Sequence, residues 1–96
     1  MTDKGQHITV IAGQATELAF ALRDSVPRDG TFTWHSSAGD AIEGTLDDDT
    51  VTVVLDSATT AAWSGTLRWQ LWQVDAAGNE AAIAAGAASV RPRVDG

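Results

Sequence analysis

The chain has 96 residues, enough for one domain around a single core and too few for a second. Six basic residues against thirteen acidic ones give a formal net charge of −7. That balance excludes the broad basic face nucleic-acid binding needs and disfavours an anionic membrane surface. Cysteine is absent, which rules out a disulfide framework, a thiolate metal site and a thiol nucleophile.

Residues 1–5 predict a flexible polar lead, and residues 6–95 a single domain. The amino terminus, MTDKGQHITV, lacks an apolar run behind a basic stretch, so no signal peptide is expected. No segment reaches the length of a transmembrane helix. Synthesis and folding in a bacterial host cytoplasm is the expectation.

Strands come first. Residues 7–11 form a short β-branched run with Ile8 and Val10 on one face. After Ala12-Gly13-Gln14, residues 16–23 alternate, with Leu18, Phe20 and Leu22 facing one way and Glu17, Ala19, Ala21 and Arg23 the other. Period-two alternation marks a strand with one buried face. Pro27 and Arg28-Asp29-Gly30 end it. Residues 31–36 repeat the pattern with Phe32 and Trp34 inward, and residues 41–46 form a weaker strand around Ile42. Asp47, Asp48 and Asp49 make a solvated turn, and residues 50–55 align Val51, Val53 and Leu55 on one face.

The period changes at residues 57–62. Asp56 or Ser57 can cap a short helical turn that alanines favour, and Gly65 stops it. Trp63 is expected to lie across an open end of the core. Residues 66–74 then form a long strand with Leu67, Trp69 and Leu71 inward, and residues 75–79 a turn. The close is alanine-rich. Residues 81–88 suit a helix locally, but Gly86 with β-branched Val90 and Val94 favours two last strands, 80–85 and 87–94. Pro92 suits a strand end. Turns every eight to twelve residues between short alternating strands predict an all-β antiparallel sandwich of about seven to eight strands.

Little in the chain suggests chemistry. His7 and His35 lie in different strands with no carboxylate at metal-motif spacing, so surface histidines are the simpler reading. The serines include no Gly-x-Ser-x-Gly elbow. Glu17, Glu43 and Glu80 sit in a domain too small to enclose a glycosidase cleft readily. Asp47–Asp49 with Glu43 invites calcium, but the loop length, turn glycine and terminal glutamate of an EF-hand are missing. No catalytic residue, cofactor site or metal site is predicted. The tryptophans carry more. Trp34 and Trp69 read as core, each with its indole N–H near a backbone carbonyl. Trp72 falls on the opposite face with Arg68, Gln70 and Val74. Either a bulge turns it inward, or it is an exposed aromatic among polar groups, as at interface anchors.

This order of parts resembles Ig-like β-sandwich domains of bacteriophage structural proteins. The resemblance rests on an alternating strand at 51–55, a capped turn at 57–62, and an aromatic-rich strand at 65–74. It continues with an Asp-x-x-Gly turn at 75–78 and a Gly-x-x-x-Val-x-Pro close at 86–92. Leu67 and Trp69 stand where tyrosines are common in that family, and the link at 26–30 is short. The resemblance implies a non-enzymatic virion protein, a tail- or baseplate-associated adaptor or a capsid decoration protein. Its partners would be other virion proteins and copies of itself, in rings or trimers, with Trp72, Arg68, Gln70 and Val74 as the interface. A carbohydrate-binding module holding a host glycan through Trp72 is the competing reading.

Overall fold

The computed structural model describes residues 6–92 and Val94; the expected lead at 1–5 lies outside the described residues. Seven strands follow in chain order: β1 (Gln6–Ile11), β2 (Thr16–Ala21), β3 (Thr31–Ser36), β4 (Ala41–Asp47), β5 (Thr50–Leu55), β6 (Gly65–Val74) and β7 (Glu80–Arg91). A single five-residue helix, α1 (Ser57–Ala61), joins β5 to β6. The fold is an all-β, Ig-like sandwich.

Hydrogen bonding runs without a break in the order β1-β7-β6-β3-β4-β5-β2. β4 is the fold line. Its first half pairs with β3, from Ala41 opposite His35 to Gly44 opposite Phe32, and its second half pairs with β5, from Thr45 opposite Thr52 to Asp47 opposite Thr50. Gly44 sits at the switch, where an added Cβ would lie 2.7 Å from Val51 Cγ1, so the close approach of the two layers there admits no side chain. The ring positions show the folding directly. β2 and β6 are four strand spacings apart along the ladder, roughly 19 Å in a flat sheet. Yet the Phe20 and Trp69 rings are 5.2 Å apart, so the ladder has doubled back on itself.

The core between the layers follows the alternation. Leu18, Phe20, Phe32, Trp34, Val51, Val53, Leu55, Leu67, Trp69 and Leu71 are all buried. Phe20, Trp69, Trp34 and Trp63 form a column of neighbouring rings, with Trp69–Trp34 centroids 6.2 Å apart and Trp34–Trp63 centroids 5.7 Å apart. Each such pair adds about 0.5–1.5 kcal/mol beyond area burial. The indole N–H groups of Trp34 and Trp69 are buried without a hydrogen-bond partner, contrary to the expected backbone carbonyls. An orphaned donor costs about 1–3 kcal/mol, so these two rings hold their places through apolar contact alone.

One end of the sandwich is closed by α1. The Asp56 side chain accepts from the Thr59 N–H at 2.7 Å and caps the helix. Thr60, fully buried, donates its hydroxyl to the Gln14 carbonyl at 2.9 Å and accepts from the Gly13 N–H at 3.1 Å, tying the helix to the β1–β2 turn. Trp63 is buried beside Trp34, and its indole N–H donates to Asp40 Oδ2 at 2.7 Å; Ser36 Oγ donates to the same oxygen.

The opposite end holds the loop at 22–30, the β4–β5 turn and the β6–β7 turn. Gln73 is buried there and donates its amide to the carbonyls of Pro27 at 2.7 Å and Asp29 at 3.1 Å. Gly30, at φ +77°, presses on β6 so closely that a Cβ would stand 1.9 Å from the Val74 carbonyl oxygen. Arg28 donates to Asp49 at 3.0 Å and to the carbonyls of Arg23 and Val26.

The last strands depart from expectation. Residues 80–91 form one strand; Gly86 continues the ladder opposite Trp69, and the irregularity falls at Ile83, an extra residue between the Leu71–Ala84 and Trp72–Ala82 pairs. The β2 strand stops at Ala21, two residues short of expectation, although the Leu22 N–H still donates to the Asp49 carbonyl in the register of the β2–β5 ladder. Val94 lies beyond the last strand and is 89% exposed. β1 pairs with β7 in parallel, so the sandwich is not wholly antiparallel.

Candidate interaction face

β6 runs through the middle of the larger layer, between β7 and β3. Its alternation is unbroken: Leu67, Trp69, Leu71 and Gln73 are buried, and Arg68, Gln70, Trp72 and Val74 occupy the other face. The four residues singled out from the sequence therefore stand in one row on the outside of the sandwich. The bulge does exist beside Trp72, but the extra residue belongs to β7. It shifts the frame of β7 and leaves β6 in register with β3, where Trp72 lies opposite Thr33. Trp72 stays outward and half-buried, and its indole N–H donates to Gln70 Oε1 at 2.9 Å. That bond ties the ring to its neighbour in the row.

The neighbouring strand makes this row prominent. Outward positions of β7 beside β6 are Ala82, Ala85 and Ala87, so Arg68, Gln70 and Trp72 rise above a low floor. Beyond that floor stands His7 on β1, opposite Ala87, with its Nε2 2.9 Å from Ser89 Oγ. On the other side His35 lies opposite Gln70. The result is a groove of about 660 Å³ bordered by both histidines, Arg68, Gln70 and Ser37. A second hollow of about 350 Å³, bordered by Trp72, Val74 and Glu80, begins at His35 and continues the groove along the sheet.

Polarity across the groove is one-sided. None of the described residues that border it is acidic, although the chain carries thirteen acidic residues. Arg68 is exposed at its centre and has no carboxylate partner among the described residues. Its backbone N–H is held by Ser37 Oγ at 3.0 Å, which fixes the stem of the side chain against the β3–β4 turn. Two strand spacings separate His7 from Arg68, about 10 Å. That arrangement offers hydrogen-bond donors on a small apolar floor, a surface suited to an acceptor-rich or anionic partner.

Glu80 borders the second hollow, and the acidic β4–β5 turn lies away from the groove. Asp48, at φ +53°, begins the two-residue β4–β5 turn, a left-handed conformation that aspartate tolerates. Asp49 is engaged by Arg28. Glu43 is placed on β4 opposite Thr33. Among the described residues no group of three or more His, Asp or Glu side chains converges to hold a metal. Two carboxylates titrate below the ordinary aspartate range. Asp56 is lowered by hydrogen bonds from the Thr59 side chain and backbone, and Asp75 chiefly by the Asn79 backbone N–H at 2.9 Å. Both brace turns and neither borders the groove. No helix of the described residues is long and apolar enough to cross a membrane.

Sequence reasoning saw each histidine as an isolated surface residue. Their approach to one groove depends on the β1–β7 pairing, which no local pattern announces. Gln73 was also missed as an inward residue, although the alternation of β6, extended one step past Leu71, places it there.

No protein-family model matches the chain, and no curated protein matches it. Among solved structures it is similar to a candidate glycoside hydrolase from Bacteroides vulgatus, at 19% identity and a TM-score of 0.61, over 92% of this chain. The chain spans only 17% of that protein's length. It is also similar to the extracellular domain of the voltage-gated sodium channel beta4 subunit, at 11% identity and a TM-score of 0.47, over 99% of this chain and 90% of that one. Likeness at these identities concerns the fold.

Proposed function

We propose that this chain is a non-enzymatic structural module of a bacteriophage or prophage particle, a tail- or baseplate-associated adaptor that works by protein–protein assembly. The observation that carries the reading is the outward row on β6. Trp72 is half-buried in the isolated chain, held by Gln70, and flanked by alanines that let a partner surface approach closely. Because the ring is already partly covered, burying the rest of it removes at most about 90 Å² from water, about 0.5–2 kcal/mol, the upper end of which reaches the scale of an interface anchor. The layout of parts from Val51 to Pro92 supplies the phage context by resemblance, and the net negative charge favours solubility of free subunits.

A saccharide-binding reading draws on a separate observation, the donor-lined groove that leads to Trp72. Trp72→Ala separates the two. Under the assembly reading, size-exclusion chromatography with light scattering shows loss of oligomers, or pull-down shows loss of attachment to tail particles. Under the saccharide reading, assembly is unchanged and glycan affinity falls. A wild-type chain that stays monomeric and attaches to no particle refutes the adaptor function.

A further inference from the structure

We infer that the groove between His7 and His35 receives the acidic β4–β5 hairpin of a second copy of this chain, making a head-to-tail contact; the inference rests on the assembly reading and names the partner. Charge is the first argument. The groove has Arg68 at its centre, histidines on both banks and no acidic residue among those described, in a chain of net charge −7. The hairpin is its complement. Asp47 and Asp48 are exposed and have no basic partner among the described residues, while Arg28 already engages Asp49. Three adjacent carboxylates repel one another, and an arginine brought between them relieves that repulsion.

Position is the second argument. The groove lies toward the end of the sandwich where β3 finishes and β6 begins, since Ser37 and Thr66 border it. The hairpin lies at the other end, because β4 starts beside His35 and runs away from it for seven residues, about 20 Å. The Asp49–Arg28 pair and the Gln73 bonds to Pro27 and Asp29 fix the hairpin near the far end of β6. No chain can place its own hairpin in its own groove. Any such contact joins different copies and repeats, which generates a ring when the rotation closes and a filament when it does not.

Shape is the third. The alanine floor of β7 leaves a trough about 10 Å from His7 to Arg68, wide enough for the tip of a two-residue turn. That tip consists of Asp48 and Asp49; Asp49 is engaged by Arg28, and the exposed Asp48 carboxylate reaching Arg68 makes a charge-assisted hydrogen bond.

The test compares wild type, Arg68→Gln, the double variant Asp47→Asn/Asp48→Asn, and Trp72→Ala by sedimentation velocity in low and high salt. All three charged positions are exposed, and circular dichroism checks that each variant keeps its fold. Wild type is expected to self-associate, more strongly at low salt. Arg68→Gln and the aspartate double variant should each associate roughly tenfold or more weakly. An equimolar mixture of those two should form one-to-one dimers and stop there, because it contains one intact groove and one intact hairpin. Wild-type assembly that the aspartate variant leaves unchanged overturns the inference, and loss of that assembly in Trp72→Ala then keeps the adaptor reading alive. Dissociation of the aspartate variant with Trp72→Ala still assembled supports the inference and removes Trp72 from the interface. A monomeric wild type overturns the inference, and the adaptor reading falls with it only when that monomer also attaches to no particle. Binding of oligogalacturonate by a monomeric wild type, abolished by Arg68→Gln, assigns the groove to an acidic saccharide.

Discussion

Replacing Gln73 probes how a polar side chain inside an apolar layer fixes the acidic end of the molecule. Gln73 is 4% exposed, and its amide spends both N–H donors on the carbonyls of Pro27 and Asp29. Gln73→Leu keeps the volume and removes both bonds. Two neutral hydrogen bonds at about 1 kcal/mol each set a ceiling near 2 kcal/mol. Pro27 and Asp29 are themselves exposed, so water can reach the freed carbonyls and the expected loss is about 1–2 kcal/mol. Gln73→Glu is the sharper case, because it aims a carboxylate at two acceptors. At pH 7 it should cost at least about 2 kcal/mol more than Gln73→Leu, an unpaired buried charge being worse than a missing bond. The sign of its pH dependence is fixed by the same geometry. A protonated carboxyl can donate to one carbonyl and a carboxylate cannot, so burial raises the folded-state pKa of the introduced group. Its protonated contribution is fully present below the ordinary glutamate value and is lost as pH rises toward the folded value. Urea unfolding followed by tryptophan fluorescence measures this directly. With a slope of about 1 kcal/mol per molar urea, Gln73→Leu moves the midpoint down by roughly 1–2 M. Equal midpoints for the two variants at pH 7, or a Gln73→Glu deficit that stays constant between pH 7 and pH 4, would refute the reasoning.

Three further outcomes follow from named contacts. Thr60→Val, nearly the same shape, leaves the Gly13 N–H and the Gln14 carbonyl without their hydroxyl and should lower stability by about 2 kcal/mol, read from the same urea curves. Gly30→Ala drives a methyl into the Val74 carbonyl from a left-handed backbone, and a loss of at least about 2 kcal/mol is expected. In a 96-residue domain a loss of that size lowers Tm by roughly 8 °C or more. Asp56 and Asp75 both titrate below their ordinary value, so their contribution is present above the unfolded-state pKa and disappears as pH falls through the folded-state values. Asp56→Asn, which preserves the cap, should therefore show a shallower loss of Tm between pH 4 and pH 2.5 than wild type; an identical acid limb would count against the assignment.

Much of the fold was legible because alternation of period two reports burial directly. The expected strands at 31–36 and 50–55 match β3 and β5 residue for residue, and the inward sets Phe32–Trp34 and Val51–Val53–Leu55 are all buried. The helical turn emerged from Asp56 and the alanines behind it, and α1 ends one residue earlier than expected. The carboxyl-terminal part was harder. An alanine run carries almost no burial signal, and Gly86 reads as a break when its neighbours are unknown. In place it lies opposite the large ring of Trp69. For Trp72 the sequence leaves the outward face and a bulge that turns it inward equally open, since a sequence does not say which of two paired strands holds the extra residue. The groove was the least legible feature. His7 and His35 border it because β1 pairs in parallel with β7, and strand order is set by long-range packing that neither histidine's neighbourhood encodes.

β4 gives hydrogen bonds to both layers along one short segment, with Gly44 at the crease. Two sheets held only by side chains can slide or part at their seam, but here the seam is bridged by a continuous backbone. Separation of the layers would have to tear amide pairs from β3 or from β5, so breathing at the crease costs about as much as losing a strand. Amide hydrogen exchange should then show the centre of β4 exchanging with the interior of β3 and β5, through one shared opening, and not at the faster rate usual for a short strand flanked by turns.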